Sequence, residues 1–162
     1  MLKILYICTH NRCRSILSEA ISNHVGVGRI VSKSAGSDPA DSVHPLSLKY
    51  LSATGISTEG LLSQSWHELE AFVPDLVVTV CDAAAGEVCP VYFHRSLRVH
   101  WPLSDPSKLE GSEQALESAF HHTMRTIRSR IDALLAVDAD RLERDDLKQA
   151  LLDLDARILE EK

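Results

Sequence analysis

Apolar residues in this chain fall into two patterns that take turns: short unbroken runs, and stripes that recur every three or four positions. The run Leu2-Lys3-Ile4-Leu5-Tyr6-Ile7 predicts a strand, and Ile16 to Val25 is amphipathic enough for a helix. Arg29 to Ser34 predicts a second strand closed by Ala35-Gly36, and Pro39, Asp41 and Pro45 mark the loop after it. Leu46, Leu48, Tyr50 and Leu51 predict a helix ended by Gly55; Trp66, Leu69 and Phe72 predict a short one ended by Pro74. Asp75 to Val80 is the plainest strand, nearly all β-branched or apolar, as expected where helices cover both faces of a parallel sheet. Leu97 to Trp101 predicts a weaker fourth strand. Leu116, Phe120, Ile127, Ile131, Leu134 and Leu135 predict a long helix from about Ser112 to Val137. Alternation of this kind implies an α/β domain over 1–137 with right-handed crossovers. The charge-rich remainder, 138–162, places Leu147, Leu151, Leu154 and Ile158 on one stripe. It predicts an added amphipathic helix that packs back on the domain or joins two copies.

Composition narrows the class without naming a chemistry. At 162 residues and 44% hydrophobic content, the chain can bury a core without disulfide staples. Its start reads as a strand and not as a signal peptide, and no apolar run reaches membrane-spanning length. The expectation is a cytoplasmic protein whose thiols stay reduced unless they are catalytic or sensing. A formal charge of −6 argues against general affinity for nucleic acid, which needs basic surface to displace counterions.

The chemistry begins where the first strand ends. Cys8-Thr9-His10-Asn11-Arg12-Cys13-Arg14-Ser15 sets a cysteine, five intervening residues and an arginine at a strand-to-helix junction. Backbone N–H groups from Thr9 to Ser15, together with the positive end of the following helix, would form a concave cradle for a tetrahedral oxyanion. His10, Arg12 and Arg14 concentrate positive charge there despite the acidic whole. A thiol in such a place has its pKa lowered, so Cys8 is the expected nucleophile. Arg14 offers a planar fork to two anion oxygens, and the Ser15 hydroxyl can steady the thiolate. Cys13 is expected to be a small buried residue.

Two further groups fall on the same sheet edge. Cys81 to Pro90 starts where the third strand ends, so Cys8, Cys81 and Cys89 can meet at one rim. Small residues and Gly86 between the latter two sulfurs suit a mobile redox segment, because sulfurs pair only when their Cα atoms come within ~7 Å. The Cys-x7-Cys spacing lacks the short knuckle of a zinc site, and no metal or cofactor is expected. Asp105, in the loop Trp101-Pro102-Leu103-Ser104-Asp105-Pro106-Ser107, is placed to protonate an oxygen leaving the anion.

Together, Cys8 to Ser15, Ser34-Ala35-Gly36, Cys81 to Pro90 and His100-Trp101 through Asp105-Pro106 resemble the arsenate reductases built on the low-molecular-weight protein tyrosine phosphatase fold. The resemblance covers about residues 1–137. It implies a three-layer sandwich around a four-stranded parallel sheet, and a disulfide cascade that reduces arsenate to arsenite. Cys8 would attack arsenic while Asp105 protonates the departing oxygen; Cys81 would attack Cys8; Cys89 would then displace Cys8 and leave a Cys81–Cys89 disulfide. Thioredoxin, or glutaredoxin with glutathione, would restore the thiols, and phosphate or sulfate would bind as substrate analogues.

The resemblance also defines departures and alternatives. His10 stands where the family commonly has a small residue, and Arg12 adds a second guanidinium. Some relatives bind potassium behind the loop; Asn11, Glu19 and Ser34 match that site, but Gln64 stands where a carboxylate is expected, so no ion is expected. A phosphotyrosine or small-molecule phosphatase would use Cys8, Arg14 and Asp105 without the Cys81/Cys89 pair. Its usual aromatic residues after the Asp-Pro pair are missing from Ser107-Lys108-Leu109. A redox or As(III)-binding module would bind arsenic without turnover.

Overall fold

The computed structural model describes residues 1–87 and 90–160. Four strands, β1 (Leu2–Ile7), β2 (Ile30–Ala35), β3 (Leu76–Thr79) and β4 (Leu97–His100), form one sheet in the order β2-β1-β3-β4. Every neighbouring pair is parallel. Ile7 lies opposite Ala35 on one side and Thr79 on the other, and Thr79 lies opposite His100. The carboxyl ends of β1, β3 and β4 are therefore flush. The chain leaves β1 first to one side and later to the other, which makes the loop after β1 a topological switch point, the place where open α/β sheets bind ligands.

The predicted strands form because their apolar runs can be buried on both faces. All four residues of β3 are buried, and in β1 only Lys3 is exposed. Ile4, Leu5, Ile7, Leu76 and Val78 are at most 1% exposed, and each such side chain contributes roughly 1.5–3 kcal/mol. Helices α1 (Arg14–Val25), α2 (Pro45–Ala53) and α4 (Glu113–Ala136) pack on one another. In α4, Phe120, Ile127, Ile131 and Leu134 are buried, and Ser112 caps the helix by accepting from the Ala115 N–H at 3.1 Å.

Four expectations change. Pro45 begins α2 instead of belonging to the loop, since its missing N–H costs nothing at the first helical position. The helix expected at Trp66 is a 3-10 segment, Trp66–Phe72, kinked at Leu69. A helical turn absent from the pattern, α3 (Asp82–Ala85), follows Cys81 directly. The C-terminal stretch is a 3-10 turn, Ala139–Arg141, and then α5 (Arg144–Glu160), rather than one helix from Asp138. The break has a physical cause. Asp138 adopts left-handed backbone, φ 53°, and Asp138 and Asp140 both bind the Arg29 guanidinium, at 3.0 and 2.7 Å. Leu147, Leu151 and Leu154 are buried in the core that the rest of the chain forms, so α5 packs back on the domain against β4. The side chain of Ile158 lies outside the described residues. Among the described residues, no helix is long and apolar enough to cross a membrane.

Candidate active site

The turn between β1 and α1 is shaped by neighbours that take up its carbonyl groups. The carbonyl of Thr9 accepts from Asp38 N, that of His10 from Ala40 N, and that of Arg12 from His44 N, at 3.0, 2.9 and 2.9 Å. The backbone N–H of His10 reaches the Cys8 sulfur, and that of Thr9 reaches Cys81. Gly36 allows the end of β2 to pass beneath: a Cβ there would sit 2.3 Å from the Thr9 carbonyl oxygen.

Asn11 holds the turn from within. It is fully buried in left-handed backbone, φ 46°, a region asparagine tolerates better than most residues. Its Nδ2 donates to Ser15 Oγ at 2.8 Å and Ser34 Oγ at 3.0 Å, and its Oδ1 accepts from Gln64 N at 2.9 Å. Behind it, Ser34 donates to the buried Glu19 carboxylate at 2.6 Å, and Gln64 Nε2 donates to the Ser34 carbonyl at 3.0 Å. Two amide N–H donors thus stand where a cation would need oxygens. These residues do not fit a potassium site.

Arg14, the first residue of α1, faces the loop that follows β4. Its Nη1 donates to the Leu103 carbonyl at 3.2 Å, and its Nη2 lies 3.7 Å from an Asp105 carboxylate oxygen. Its Nε is buried and, among the described residues, has no hydrogen-bond partner. A half-buried guanidinium with a buried donor to spare, beside the loop that opens α1, is what an oxyanion can satisfy. The other oxygen of Asp105 accepts from Ser107 N at 3.0 Å and Ser107 Oγ at 2.6 Å, which fixes the carboxyl plane toward Arg14.

The two sulfurs at the rim act on each other's charge. Cys8 and Cys81 are free thiols, 6% and 4% exposed, and each shifts the other's pKa. Cys81 caps α3, accepting from Ala84 N at 3.4 Å, and Thr9 Oγ1 lies 3.7 Å away. The Cys8 thiol and these donors push Cys81 down to about 5. The Cys81 sulfur, then burial, pushes Cys8 up. Within this pair the donors around Cys81 favour the charge there, while the Arg14 guanidinium and the His10 N–H favour it on Cys8. The Ser15 hydroxyl accepts from Asn11, and the His10 N–H is a loop donor that lowers Cys8.

The remaining expected residues divide. Cys13 is 2% exposed, and burial pushes its thiol up to about 11, in keeping with its expected inert role. The His10 imidazole donates through Nδ1 to the Asp38 carbonyl at 3.0 Å, and the Arg12 side chain is exposed, so these two join the loop through their backbone. Cys89 lies outside the described residues.

Several contacts were not anticipated. Thr9 Oγ1 donates to a Glu87 carboxylate oxygen at 3.0 Å. His100 Nε2 lies 2.9 Å from Asp82 Oδ1, while Arg98 Nη2 donates to the carbonyls of Ala84 and Glu87 at 3.4 and 3.5 Å. Arg98 and His100 share a face of β4 by the two-residue period, and together they hold both ends of α3. That period was the available signal; the position of α3 was not in it.

With this geometry in view, the chain can be set beside known proteins. Residues 3–149 match the family described as low molecular weight phosphotyrosine protein phosphatase. Over 128 residues the chain is 33% identical to an arsenate reductase of Halalkalibacterium halodurans, covering 79% of this chain and 91% of the relative. A glutaredoxin arsenate reductase of Synechocystis is 26% identical over 136 residues, covering 84% of this chain and 98% of the relative. The solved structure of a Corynebacterium glutamicum thioredoxin-dependent arsenate reductase superposes with a TM-score of 0.65 at 27% identity, covering 85% of this chain and 62% of that one.

Proposed function

This chain belongs to the low molecular weight phosphotyrosine protein phosphatase family, and we propose that within it the protein is an arsenate reductase working through Cys8, Cys81 and Cys89. The observation that carries this reading is the pair of free, buried thiols Cys8 and Cys81, set side by side at the ends of the paired strands β1 and β3 at the mouth of the loop. A phosphatase needs one sulfur there; a reductase needs a second, already charged, within reach of the first.

Hydrogenarsenate binds to the loop N–H groups and Arg14. The Cys8 sulfur forms a bond to arsenic and passes its thiol proton to an arsenate oxygen. Asp105 gives a proton to the departing hydroxyl, which leaves as water. The Cys81 thiolate then attacks the Cys8 sulfur. The electron pair of the sulfur–arsenic bond passes to arsenic, which leaves as arsenite, and two thiols have become the Cys8–Cys81 disulfide. A Cys89 thiolate attacking Cys81 frees Cys8 and leaves Cys81–Cys89 for an external dithiol of the thioredoxin class, or for glutaredoxin with glutathione. A compartment that keeps thiols reduced, the cytoplasm, suits such a cycle.

The deciding experiment is arsenite formation from arsenate by the reduced protein alone, with mass spectrometry locating the disulfide. One equivalent of arsenite with a Cys81–Cys89 bond is expected. Hydrolysis of p-nitrophenyl phosphate without arsenite or disulfide identifies a phosphatase, and stoichiometric As(III) binding without turnover identifies a sensor.

A further inference from the structure

The loop that carries Asp105 is anchored by a helix that the family match covers only as far as residue 149. Trp101, at the end of β4, is 2% exposed, and its indole N–H donates to the carboxylate of Asp155 on α5. Asp155 lies beyond the matched residues 3–149. The carbonyls of Trp101 and Pro102 accept from Arg130 Nη1 on α4, at 3.0 and 3.2 Å. Leu103 donates through its N–H to the Val80 carbonyl at 3.0 Å and accepts from Arg14. Three residues separate Trp101 from Asp105, and each anchor in that span comes from a buried or packed element. The stripe Leu147, Leu151 and Leu154 fastens α5 to the core, so Asp155 is presented from a rigid support.

We propose that α5 is a brace for the proton-donor loop and that Asp155 is its positioning residue, setting through Trp101 where Asp105 stands relative to the anion. The proposal rests on the reading of Asp105 as general acid. A buried indole without an acceptor shifts to find one, and Trp101 cannot shift without moving the loop it begins. Small displacements of a catalytic group cost rate steeply, up to about 10²-fold for roughly 1 Å.

The test compares Asp155→Leu, which removes the acceptor, with Asp155→Asn, which keeps a carbonyl oxygen in its place. Trp101→Phe deletes the same hydrogen bond from the other side and covers the case in which Asp155→Leu does not fold. Each is measured for single-turnover arsenite release, and for hydrolysis of phenyl phosphate against p-nitrophenyl phosphate. Phenol is the poorer leaving group and depends more on proton donation. The expected result is a loss of roughly tenfold or more in arsenite release, with phenyl phosphate suffering more than p-nitrophenyl phosphate. Alkylation of Cys8 and Cys81 should be unchanged, and Asp155→Asn should recover most of the rate. Equal losses on the two esters, or a fall in thermal stability with no change in rate, overturn the brace. If the wild type hydrolyses the esters but forms no arsenite, the reductase reading fails while the ester ratio still decides the brace. If Asp105→Asn leaves the ester ratio unchanged in wild-type background, the general-acid premise fails and the brace with it.

Discussion

The hydroxyl oxygen of Thr9 stands 3.7 Å from the sulfur of Cys81, although 72 residues separate them in sequence. Thr9 belongs to the loop after β1 and Cys81 caps α3, so this contact couples the part proposed to bind the oxyanion to the part proposed to supply it with electrons. The single hydroxyl proton of Thr9 has a second acceptor within reach, the Glu87 carboxylate at 3.0 Å.

Cys81 should therefore react as a thiolate in mildly acidic solution. Its alkylation by iodoacetamide, followed by peptide mass spectrometry across pH, is expected to show a midpoint near the value of about 5 to which Cys8 and the other donors depress it. The depressed thiol holds its charge above that pH and loses it below. Cys8→Ala removes the largest cause, so the midpoint should rise; Glu87→Ala returns the Thr9 proton to the sulfur and should lower it further. A midpoint near the free-thiol value of ~8.5 in the wild type would refute the coupling of the two thiols.

Asp105→Asn keeps the size and the hydrogen bonds from Ser107 but cannot supply a proton. Single-turnover arsenite release should slow by roughly 10²-fold or more. An unchanged rate removes Asp105 from the role of acid.

Cys89→Ser should still release arsenite, because Cys8 and Cys81 suffice for the two-electron step, yet stop after about one turnover. Cys8→Ser should release none. Repeated turnover by Cys89→Ser with either class of reductant would show that the disulfide is not relayed through Cys89.

Gly36→Ala introduces a Cβ 2.3 Å from the Thr9 carbonyl oxygen and 2.7 Å from that of Cys8, both backbone atoms that cannot rotate aside. The loop must move, and phosphate affinity measured by calorimetry should weaken by about tenfold or more, given how steeply oriented sites respond to displacement. Wild-type affinity would mean that the loop tolerates the shift.

Glu19 is 8% exposed, and burial raises its carboxyl above the usual range despite the hydrogen bond from Ser34. A raised carboxyl contributes stability that is complete below its ordinary value of ~4.3 and is lost as pH rises through the folded-state value. Glu19→Gln keeps an acceptor for Ser34 without that loss. The Tm of the variant relative to wild type should therefore increase between about pH 4 and about pH 8, and a constant difference would place the charge elsewhere.

The parts of this protein that were legible in its sequence are those decided by neighbours along the chain. The apolar runs at Leu2–Ile7 and Leu76–Thr79, and the stripe from Phe120 to Leu134, gave strands and a helix because burial acts on local periodicity. Cys8 and Arg14 were recognisable because five residues are enough to turn a strand into a helix around an anion. The helical turn after Cys81 was not legible: Asp82-Ala83-Ala84-Ala85 is too short for a periodic signal, and His100 and Arg98 hold it from another strand.

The sequence by itself determined the alternation of elements, the sheet edge on which the chemistry collects and the residue types available there. Tertiary structure alone decided how Cys8 and Cys81 shift each other's charge, that Asn11 presents its Nδ2 to Ser15 and Ser34, and that α5 reaches Trp101. The reason is the same in each case. Local pattern follows from the few residues within a turn or a strand, whereas a pKa, an amide's partners and a brace depend on donors and acceptors brought within about 3–4 Å from distant parts of the chain.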